Sequence, residues 1–321
     1  MDQTFLLSVI VPMYFEQDVA RECYRRLTAV LQAHNYEYEL LFVNDGSTDD
    51  TLPILKELAD QDEHIRILSF SRNFGHQMAV TAGVEYARGN ALVIIDADLQ
   101  DPPELIPDMV ALWKQGWEVV YAKRKKRKGE SAFKLFSAAM FYRILRSLTD
   151  IDIPADTGDF RLIDRKVADA FLRMPERSRF IRGMMAWLGF KQTPIEYERD
   201  ERFAGETKYP LKKMLKLASN GILSFSTEPL RLVLQLGVGA IIVSFLLLIY
   251  AIIAKATGHA EGGWTSLMVT VTFLGGVQLV SIGVLGQYLA RMFEESKGRP
   301  LFVISEKVNF PDAPGSQISA G

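Results

Sequence analysis

The sequence is poor in several features that would direct it to a particular class of protein. It has one cysteine, Cys23, among 321 residues, which excludes an intrachain disulfide framework and fits a reducing compartment. No Gly-x-Gly-x-x-Gly follows the first predicted strand, so the dinucleotide-binding fingerprint of many oxidoreductases is missing. The N-terminus has no basic region and its first apolar run, 5–12, is too short for a secretory signal. We therefore expect the N-terminal part to stay in the cytoplasm.

The net charge is also small, but the charged residues are unevenly distributed along the chain. The formal net charge is −2, while basic residues are concentrated at 123–128 and 208–216. Local basic clusters in a chain that is otherwise close to neutral indicate a local anionic partner. They do not indicate general nucleic-acid binding, and we expect no nucleic-acid partner.

Charged residues are absent from two long stretches, 232–254 and 262–290. As a helix with a rise of about 1.5 Å per residue, each is long enough to cross a hydrocarbon core of roughly 30 Å. Arg231 precedes the first stretch and Arg291 follows the second, which places both ends in the cytoplasm under the positive-inside rule. The sequence thus predicts a multi-pass protein of the inner (plasma) membrane. Glycines in the second stretch would permit close helix approach within the hairpin or between protomers of a homo-oligomer.

Before these stretches, short β-branched runs alternate with longer helical patterns. This alternation predicts an α/β domain with a mainly parallel sheet, in which ligands gather at the carboxyl ends of the strands. The predicted strands are 7–11, 38–43, 65–69, 91–95 and 118–121, and the predicted helices lie near 19–33, 49–59, 76–86 and 104–115.

Polar residues follow three of these strands, and the most informative are Asp96 and Asp98, with Gln100 close behind. Two carboxylates one residue apart can face one hard cation such as Mg²⁺ or Mn²⁺, with diphosphate oxygens completing its coordination sphere. The Asp-x-Asp pattern is common by itself. Its position at the end of a buried strand is what favours a metal site here.

Asp45, at the end of the second predicted strand, offers a carboxylate that suits a base edge or a ribose hydroxyl, as an acid at a strand end does in dinucleotide folds. The alternative is a turn followed by a helix that Ser47 or Thr48 caps. The two interpretations are compatible.

Taken together, the motifs between residue 8 and about residue 209 resemble the inverting glycosyltransferases of family two, which have the nucleotide-binding GT-A fold. Within that family they are similar to polyprenyl-phosphate glycosyltransferases, such as dolichol-phosphate mannose synthase and bactoprenol glucosyltransferases, and the paired C-terminal stretches match the bacterial two-span branch. The sequence departs from the family at Phe15, where Asn is usual, and at Asn44, where a second Asp is frequent. The resemblance implies a nucleoside pocket lined by Pro12, Tyr14, Glu16 and Asp45, and a metal and diphosphate site formed by Asp96, Asp98 and Gln100.

The segment 157–162, Thr-Gly-Asp-Phe-Arg-Leu, looks like the acceptor-side motif of the family, in which Asp159 would face the reacting carbon of the sugar. A lipid phosphate is largely anionic at neutral pH because its last pKa is about 6. A strong base is therefore not required. We expect Asp159 to orient the acceptor or a sugar hydroxyl, with general base catalysis as the weaker alternative.

An anionic donor and an anionic acceptor need cations nearby. Arg124, at the end of the fifth predicted strand, and the lysines after it could contact the diphosphate, the lipid phosphate or acidic headgroups, or could form a solvated loop facing the membrane. The segment 202–209 matches the Arg-x-x-Gly-x-[Ser/Thr]-Lys element of the family. By this resemblance Arg202 and Lys208 would hold phosphate oxygens.

Residues 209–226 are amphipathic, which predicts a helix in the membrane interface, with burial against the catalytic domain as the alternative. The chain is then expected to divide into a cytoplasmic GT-A domain (1–207), juxtamembrane amphipathic helices (208–229), a transmembrane hairpin (230–291) and a cytoplasmic tail (292–321). A motif at 180–183 (Phe-Ile-Arg-Gly), followed by Trp187, resembles a further element of the family to which the sequence assigns no role.

These expectations define a reaction. A hexose would pass, with inversion, from a nucleotide sugar to polyprenyl (undecaprenyl) phosphate, and the membrane lipids would be a further partner. A UDP-sugar, such as UDP-glucose or UDP-N-acetylglucosamine, is favoured because the bacterial branch commonly uses UDP-sugars.

Two alternatives stay open. A polysaccharide synthase shares the fold, but it usually carries a Gln-x-x-Arg-Trp motif and more spans, and this sequence shows neither. A membrane transporter subunit is the non-enzymatic alternative. Only Gln235, Gln278 and Gln287 supply amide side chains to the two spans, which is little polar lining unless the protein oligomerises.

Overall fold

The computed structural model describes residues 5–125, 157–198, 228–257 and 263–310. These residues form two compact units. The first is an α/β unit that contains the described residues up to 198 together with 299–310, and the second consists of two long helices. The amphipathic segment 209–226 lies outside the described residues, so the juxtamembrane helices stay a prediction.

Eight strands and six α-helices make up the α/β unit as far as the structure describes it. The strands are β1 (Leu6–Met13), β2 (Glu37–Asn44), β3 (Ile65–Phe70), β4 (Ala91–Ile94), β5 (Val119–Arg124), β6 (Thr157–Asp164), β7 (Gln192–Tyr197) and β8 (Ile304–Val308). The helices are α1 (Ala20–Ala33), α2 (Thr51–Gln61), α3 (His76–Tyr86), α4 (Ile106–Lys114), α5 (Arg165–Leu172) and α6 (Ile181–Trp187).

The strands form one sheet in the order β7-β5-β6-β4-β1-β2-β3-β8. Neighbours β1–β2, β2–β3, β1–β4 and β5–β7 are parallel, while β6 runs antiparallel to both β4 and β5. The predicted α/β architecture with a mostly parallel sheet is confirmed, and the five strands predicted before residue 125 match β1 to β5. The antiparallel β6 matters for function, because it brings its first residues to the edge where β4 ends.

Burial explains why these segments become strands. All six residues of β3 and all four of β4 are buried, and each of these strands has a neighbour on both sides in the sheet. At the amino ends of the strands the buried Glu39 accepts hydrogen bonds from Ser8 Oγ (2.6 Å) and from the backbone N–H of Arg88 (2.7 Å). The protein therefore satisfies this buried carboxylate, and ligands of parallel sheets gather at the opposite, carboxyl edge.

The C-terminal region departs from the prediction. The sequence predicts a tail at 292–321, but β8 pairs antiparallel with β3 and becomes an edge strand of the sheet. Phe302 stacks on Phe70 with ring centroids 5.1 Å apart, which attaches this segment to the α/β unit. The strand has five residues of alternating burial, so it gives only a weak pattern in the sequence. A chain that ended before residue 228 would lack this strand.

The second unit contains α7 (Glu228–Ala256) and α8 (Trp264–Ser296). Leu230–Ala254 has a mean hydropathy of 2.8 and Val269–Ser296 one of 1.8, and neither helix has its apolar stretch buried by protein. Both helices are therefore long and apolar enough to cross a membrane. By length and composition they hint at membrane association.

We predict that the contacts of Asn309, which follows β8, stabilise the α/β unit. Its Nδ2 donates to the carbonyl oxygens of Ala59 (3.1 Å) and Ile65 (2.9 Å), and its φ is +58°. Asn309→Gly keeps access to this left-handed conformation but removes both hydrogen bonds. Unfolding followed by circular dichroism should show a loss of about 1–2 kcal/mol.

The matched control is Asn35→Gly, at an exposed residue whose φ is +51°. It makes the same change in the same backbone region. Equal stability of the two variants would contradict a stabilising role for the Asn309 side chain.

Candidate active site

The Asp-x-Asp residues lie just beyond the end of β4. β4 ends at Ile94, and the chain then turns so that Leu99 has a φ of +57° and its side chain is buried. The backbone N–H of Gln100 donates to Asp98 Oδ1 at 3.2 Å, which fixes the turn. Gln100 is buried beneath this turn. A left-handed leucine is costly, and it is held here by the burial of its side chain.

The antiparallel β6 brings Asp159 to the same place. Its register pairs Ile94 with Arg161, so two residues further along Asp159 comes opposite Asp96. His76, the first residue of α3, lies between the two acids. Its Nε2 is 3.1 Å from Asp159 Oδ2 and 3.7 Å from Asp96 Oδ1. One imidazole thus contacts the acid from the predicted metal site and the acid from the predicted acceptor site.

The charges of these three groups are interdependent. Burial raises the pKa of Asp96 to about 6, and the neighbouring Asp159 adds to this effect. Burial lowers the pKa of His76, but Asp96 and Asp159 outweigh it and raise that pKa to about 9. The two acids therefore favour the protonated form of His76 at neutral pH.

Asp159 is held on its other oxygen by an arginine from α6. Arg182 Nε donates to Asp159 Oδ1 at 2.8 Å, while Arg161 Nη2 lies 3.9 Å from the same oxygen. Burial raises the pKa of Asp159, but Arg182 and His76 outweigh it and keep that pKa well below its usual range. The carboxylate is ionised and a weak base.

Asp45 makes its contacts within the protein. Its Oδ1 accepts from the backbone N–H of Phe74 (2.6 Å), and its Oδ2 accepts from the N–H of Gly75 (2.9 Å) and from Asn73 Nδ2 (2.9 Å). Burial raises its pKa, and the two backbone hydrogen bonds oppose this shift. Gly46 allows the close approach of this loop, because a Cβ there would come within 2.3 Å of the carbonyl carbon of Arg72.

The predicted helix cap at Ser47 or Thr48 is wrong, because α2 begins at Thr51 and neither residue caps it. Ser47 Oγ instead accepts the backbone N–H of Phe15 at 3.1 Å. This contact joins the loop after β2 to the loop after β1.

The remaining residues predicted to line the nucleoside pocket lie at the end of β1. Pro12 is buried within the strand, whereas Tyr14 is 40% exposed and packs edge-on against Phe15 with ring centroids 4.5 Å apart. The Glu16 backbone N–H donates to Thr51 Oγ1 at 3.0 Å, so the loop after β1 is held to α2.

Arg124 ends β5, as predicted, and packs against two groups that the sequence analysis missed. Its Nε donates to Tyr197 Oη at 3.2 Å, and its Nη2 lies 3.9 Å from Asp101 Oδ1. The Tyr197 hydroxyl in turn donates to Asp101. Arg202 and Lys208 lie outside the described residues, so their phosphate contacts stay a prediction.

Comparisons with known proteins decide the family. The model of Glycosyl transferase family 2 matches residues 8–172. A Bacillus subtilis protein named uncharacterized glycosyltransferase YkcC is 53% identical over 300 residues, covering 93% of this chain and 93% of that protein. The prophage bactoprenol glucosyl transferase homolog of Escherichia coli K12 is 40% identical over 299 residues, covering 93% of this chain and 98% of that protein. Among solved structures, glucosyl-3-phosphoglycerate synthase from Mycobacterium tuberculosis matches with a TM-score of 0.46 at 17% identity, over 68% of this chain and 78% of that chain.

The chain belongs to glycosyl transferase family 2. It is therefore a glycosyltransferase, and its α/β unit has a GT-A-like fold. The family also implies a divalent cation, and the residues present fit one. Three further carboxylates, those of Asp98, Asp101 and Asp159, lie near enough to Asp96 to raise its pKa. The Asp96 side chain is about one-third exposed, so an ion can reach it.

Within the described residues, no three His, Cys, Asp or Glu side chains are grouped closely enough to hold an ion unaided. Asp96 and Asp98 would therefore share the ion with oxygens of a bound diphosphate. This is the usual way in which Mg²⁺ and Mn²⁺ are held beside phosphates.

Several side chains at this site were not predicted from the sequence of the glycosyltransferase. His76 follows the loop after β3, and the rule that ligands gather at carboxyl strand ends would have drawn attention to it. Arg182 lies in the 180–183 motif, to which the sequence assigned no role, and its contact with Asp159 was not predicted. Its contact with Asp159 depends on how α6 packs, which no local pattern encodes.

We predict that Asp45 organises the loop that follows β3. In Asp45→Asn, one carboxylate oxygen becomes an NH₂ group that must face a backbone N–H of Phe74 or Gly75. Loss of such a buried hydrogen bond costs about 1–3 kcal/mol. Hydrogen exchange should therefore accelerate by about fivefold or more at whichever of these two amides loses its acceptor. Asp60→Asn, an exposed acid on α2, is the control, and equal exchange in both variants would contradict the assignment.

Proposed function

We propose that this glycosyltransferase moves a hexose from a nucleotide sugar to polyprenyl (undecaprenyl) phosphate. The product would be a polyprenyl-phosphate-linked sugar for modification of cell-envelope glycans. The proposed donor is a UDP-sugar, such as UDP-glucose or UDP-N-acetylglucosamine.

Two independent features support a lipid acceptor. The E. coli relative, 40% identical over nearly the whole chain, is named a bactoprenol glucosyl transferase homolog. In addition, α7 and α8 are long and apolar enough to cross a membrane. A glycosyltransferase fixed to a membrane in this way is suited to an acceptor whose only polar end lies at the membrane surface.

The observation that carries the proposal is the contact of one imidazole with two acids. His76 Nε2 lies 3.7 Å from Asp96, at the proposed donor site, and 3.1 Å from Asp159, at the proposed acceptor site. The two sites are thus adjacent across one side chain. A donor whose diphosphate lies at Asp96 would present its sugar toward Asp159, which is the arrangement that direct transfer needs.

The proposed reaction is a single in-line displacement at the anomeric carbon. An oxygen of the acceptor phosphate attacks that carbon, the bond to the diphosphate breaks, and its electron pair leaves with the nucleoside diphosphate, so the configuration inverts. A divalent cation at Asp96 and Asp98, Mg²⁺ or Mn²⁺, would neutralise charge on the leaving diphosphate. The acceptor is already anionic, and Asp159 would orient it or a sugar hydroxyl.

For the whole chain we propose a multi-pass protein of the inner (plasma) membrane with the α/β unit on the cytoplasmic side. Arg231 and Arg291 flank the two spans on the same side, which supports this orientation. The glycines of α8 would permit close helix packing between protomers of a homo-oligomer.

We predict that Asp98→Ala abolishes metal-dependent transfer while the protein stays folded. Removing one of two protein ligands should lower kcat by about 100-fold or more, on the scale of losing one strong electrostatic contact to the transition state. Asp108→Ala, an exposed acid on α4, is the control. Full activity of Asp98→Ala would exclude the metal assignment.

The proposed function is tested with radiolabelled UDP- and GDP-sugars, polyprenyl phosphate, and Mg²⁺ or Mn²⁺, with and without a chelator. We expect one UDP-sugar to label the organic-extractable lipid, and the chelator to prevent this. Labelled polymer would instead support a polysaccharide synthase. Release of free nucleotide without any labelled lipid would contradict the lipid acceptor.

A further inference from the structure

Asp159 lies where β6 meets α3 and α6, and each of the two helices supplies a contact to it. It is the third residue of β6, two residues before Arg161, which pairs with the last residue of β4. His76, from the start of α3, contacts Oδ2, and Arg182, from the start of α6, donates to Oδ1. The side chain is about one-tenth exposed. Contacts on both of its oxygens define the plane of this carboxylate as well as its position.

The helix that carries Arg182, α6, is itself anchored to the rest of the α/β unit. The backbone N–H of Ile181 donates to Gln77 Oε1 at 2.9 Å, which ties the first turn of α6 to the first turn of α3. Ile181, Met184 and Met185 are buried on the inner face of α6. Two adjacent residues of α3 thus have separate roles. His76 contacts Asp159 directly, and Gln77 anchors the helix that carries Arg182.

We propose that Arg182 is a positioning residue for the transfer reaction: it acts through Asp159, by fixing the orientation of that carboxylate toward the reacting groups. This inference rests on the proposed function, since it takes Asp159 to be the acid on the acceptor side. It also gives a role to the Phe-Ile-Arg-Gly motif at 180–183, in which Ile181 anchors the helix and Arg182 reaches the acid.

Arg182 is a cleaner probe than His76. His76 also lies 3.7 Å from Asp96, so its replacement would disturb the proposed metal site as well. The Arg182 guanidinium contacts the acceptor-side acid directly, with its Nε 2.8 Å from Asp159 Oδ1.

The experiment is a double-mutant cycle between Arg182 and Asp159. Nucleoside diphosphate release is measured for wild type, Arg182→Gln, Arg182→Lys, Asp159→Asn and Arg182→Gln combined with Asp159→Asn. Loss of one charge-assisted hydrogen bond predicts a fall in kcat of about 30-fold for Arg182→Gln, with the donor KM changed by less than about threefold. Lysine keeps the charge but not the planar donor, so Arg182→Lys should recover part of that kcat.

The combined variant decides between positioning and direct contact with substrate. If Arg182 acts through Asp159, adding Arg182→Gln to Asp159→Asn should lower kcat by less than about threefold. An undiminished further loss, or an effect mainly on KM, would overturn the inference. Melting curves establish that the variants are folded. If Arg182→Gln does not fold, the same cycle with Arg182→Lys carries the test.

Two controls separate this inference from the proposed function. Arg21→Gln removes an exposed ion pair with Glu57 (2.6 Å) between α1 and α2, and should leave kcat within about twofold of wild type. Wild type is assayed with and without polyprenyl phosphate. If release does not depend on the lipid, the proposed acceptor is wrong, and the cycle on the remaining release activity still measures whether Arg182 and Asp159 act as one unit.

Discussion

The crowding of carboxylates at one edge of the sheet is the constraint on which the site depends. Asp96, Asp98, Asp101 and Asp159 converge there, and burial together with their mutual repulsion raises the pKa of Asp96 to about 6. Buried like charges are costly unless cations or hydrogen-bond donors accompany them. Here α3 supplies His76, α6 supplies Arg182 and β6 supplies Arg161 to the acids.

The acids at this edge differ in how closely protein groups contact their carboxylates. Asp159 is held by His76 and Arg182, at 3.1 and 2.8 Å, and Asp101 accepts the Tyr197 hydroxyl beside Arg124. Asp96 has a longer contact of 3.7 Å to His76, and about one-third of its side chain is exposed. The protein thus compensates the inner acids with its own residues, and the negative charge at Asp96 is the part that a divalent cation from solvent can neutralise.

Features that depend on residues close together in the chain could be predicted from the sequence. Buried apolar runs predicted β1 to β5 within a few residues, and polar groups at their ends predicted where Asp96 and Asp98 would lie. Contacts across the chain were not predictable in this way. His76 meets Asp159 across 83 residues, and Asn309 meets Ile65 across 244. Asp45 was located correctly at a strand end, but its hydrogen bonds to the 73–75 loop depend on the close approach at Gly46, which spacing alone does not reveal.

The same electrostatics argue for the role of Asp159. A general base works best when its pKa lies near the operating pH, whereas Arg182 and His76 hold the pKa of Asp159 well below its usual range. Such a carboxylate accepts a proton poorly but accepts hydrogen bonds well, and its two cationic partners fix the direction in which it does so. A phosphate acceptor brings its own negative charge and needs no base. The contacts around Asp159 therefore support the proposal that it orients the substrate and does not act as a general base.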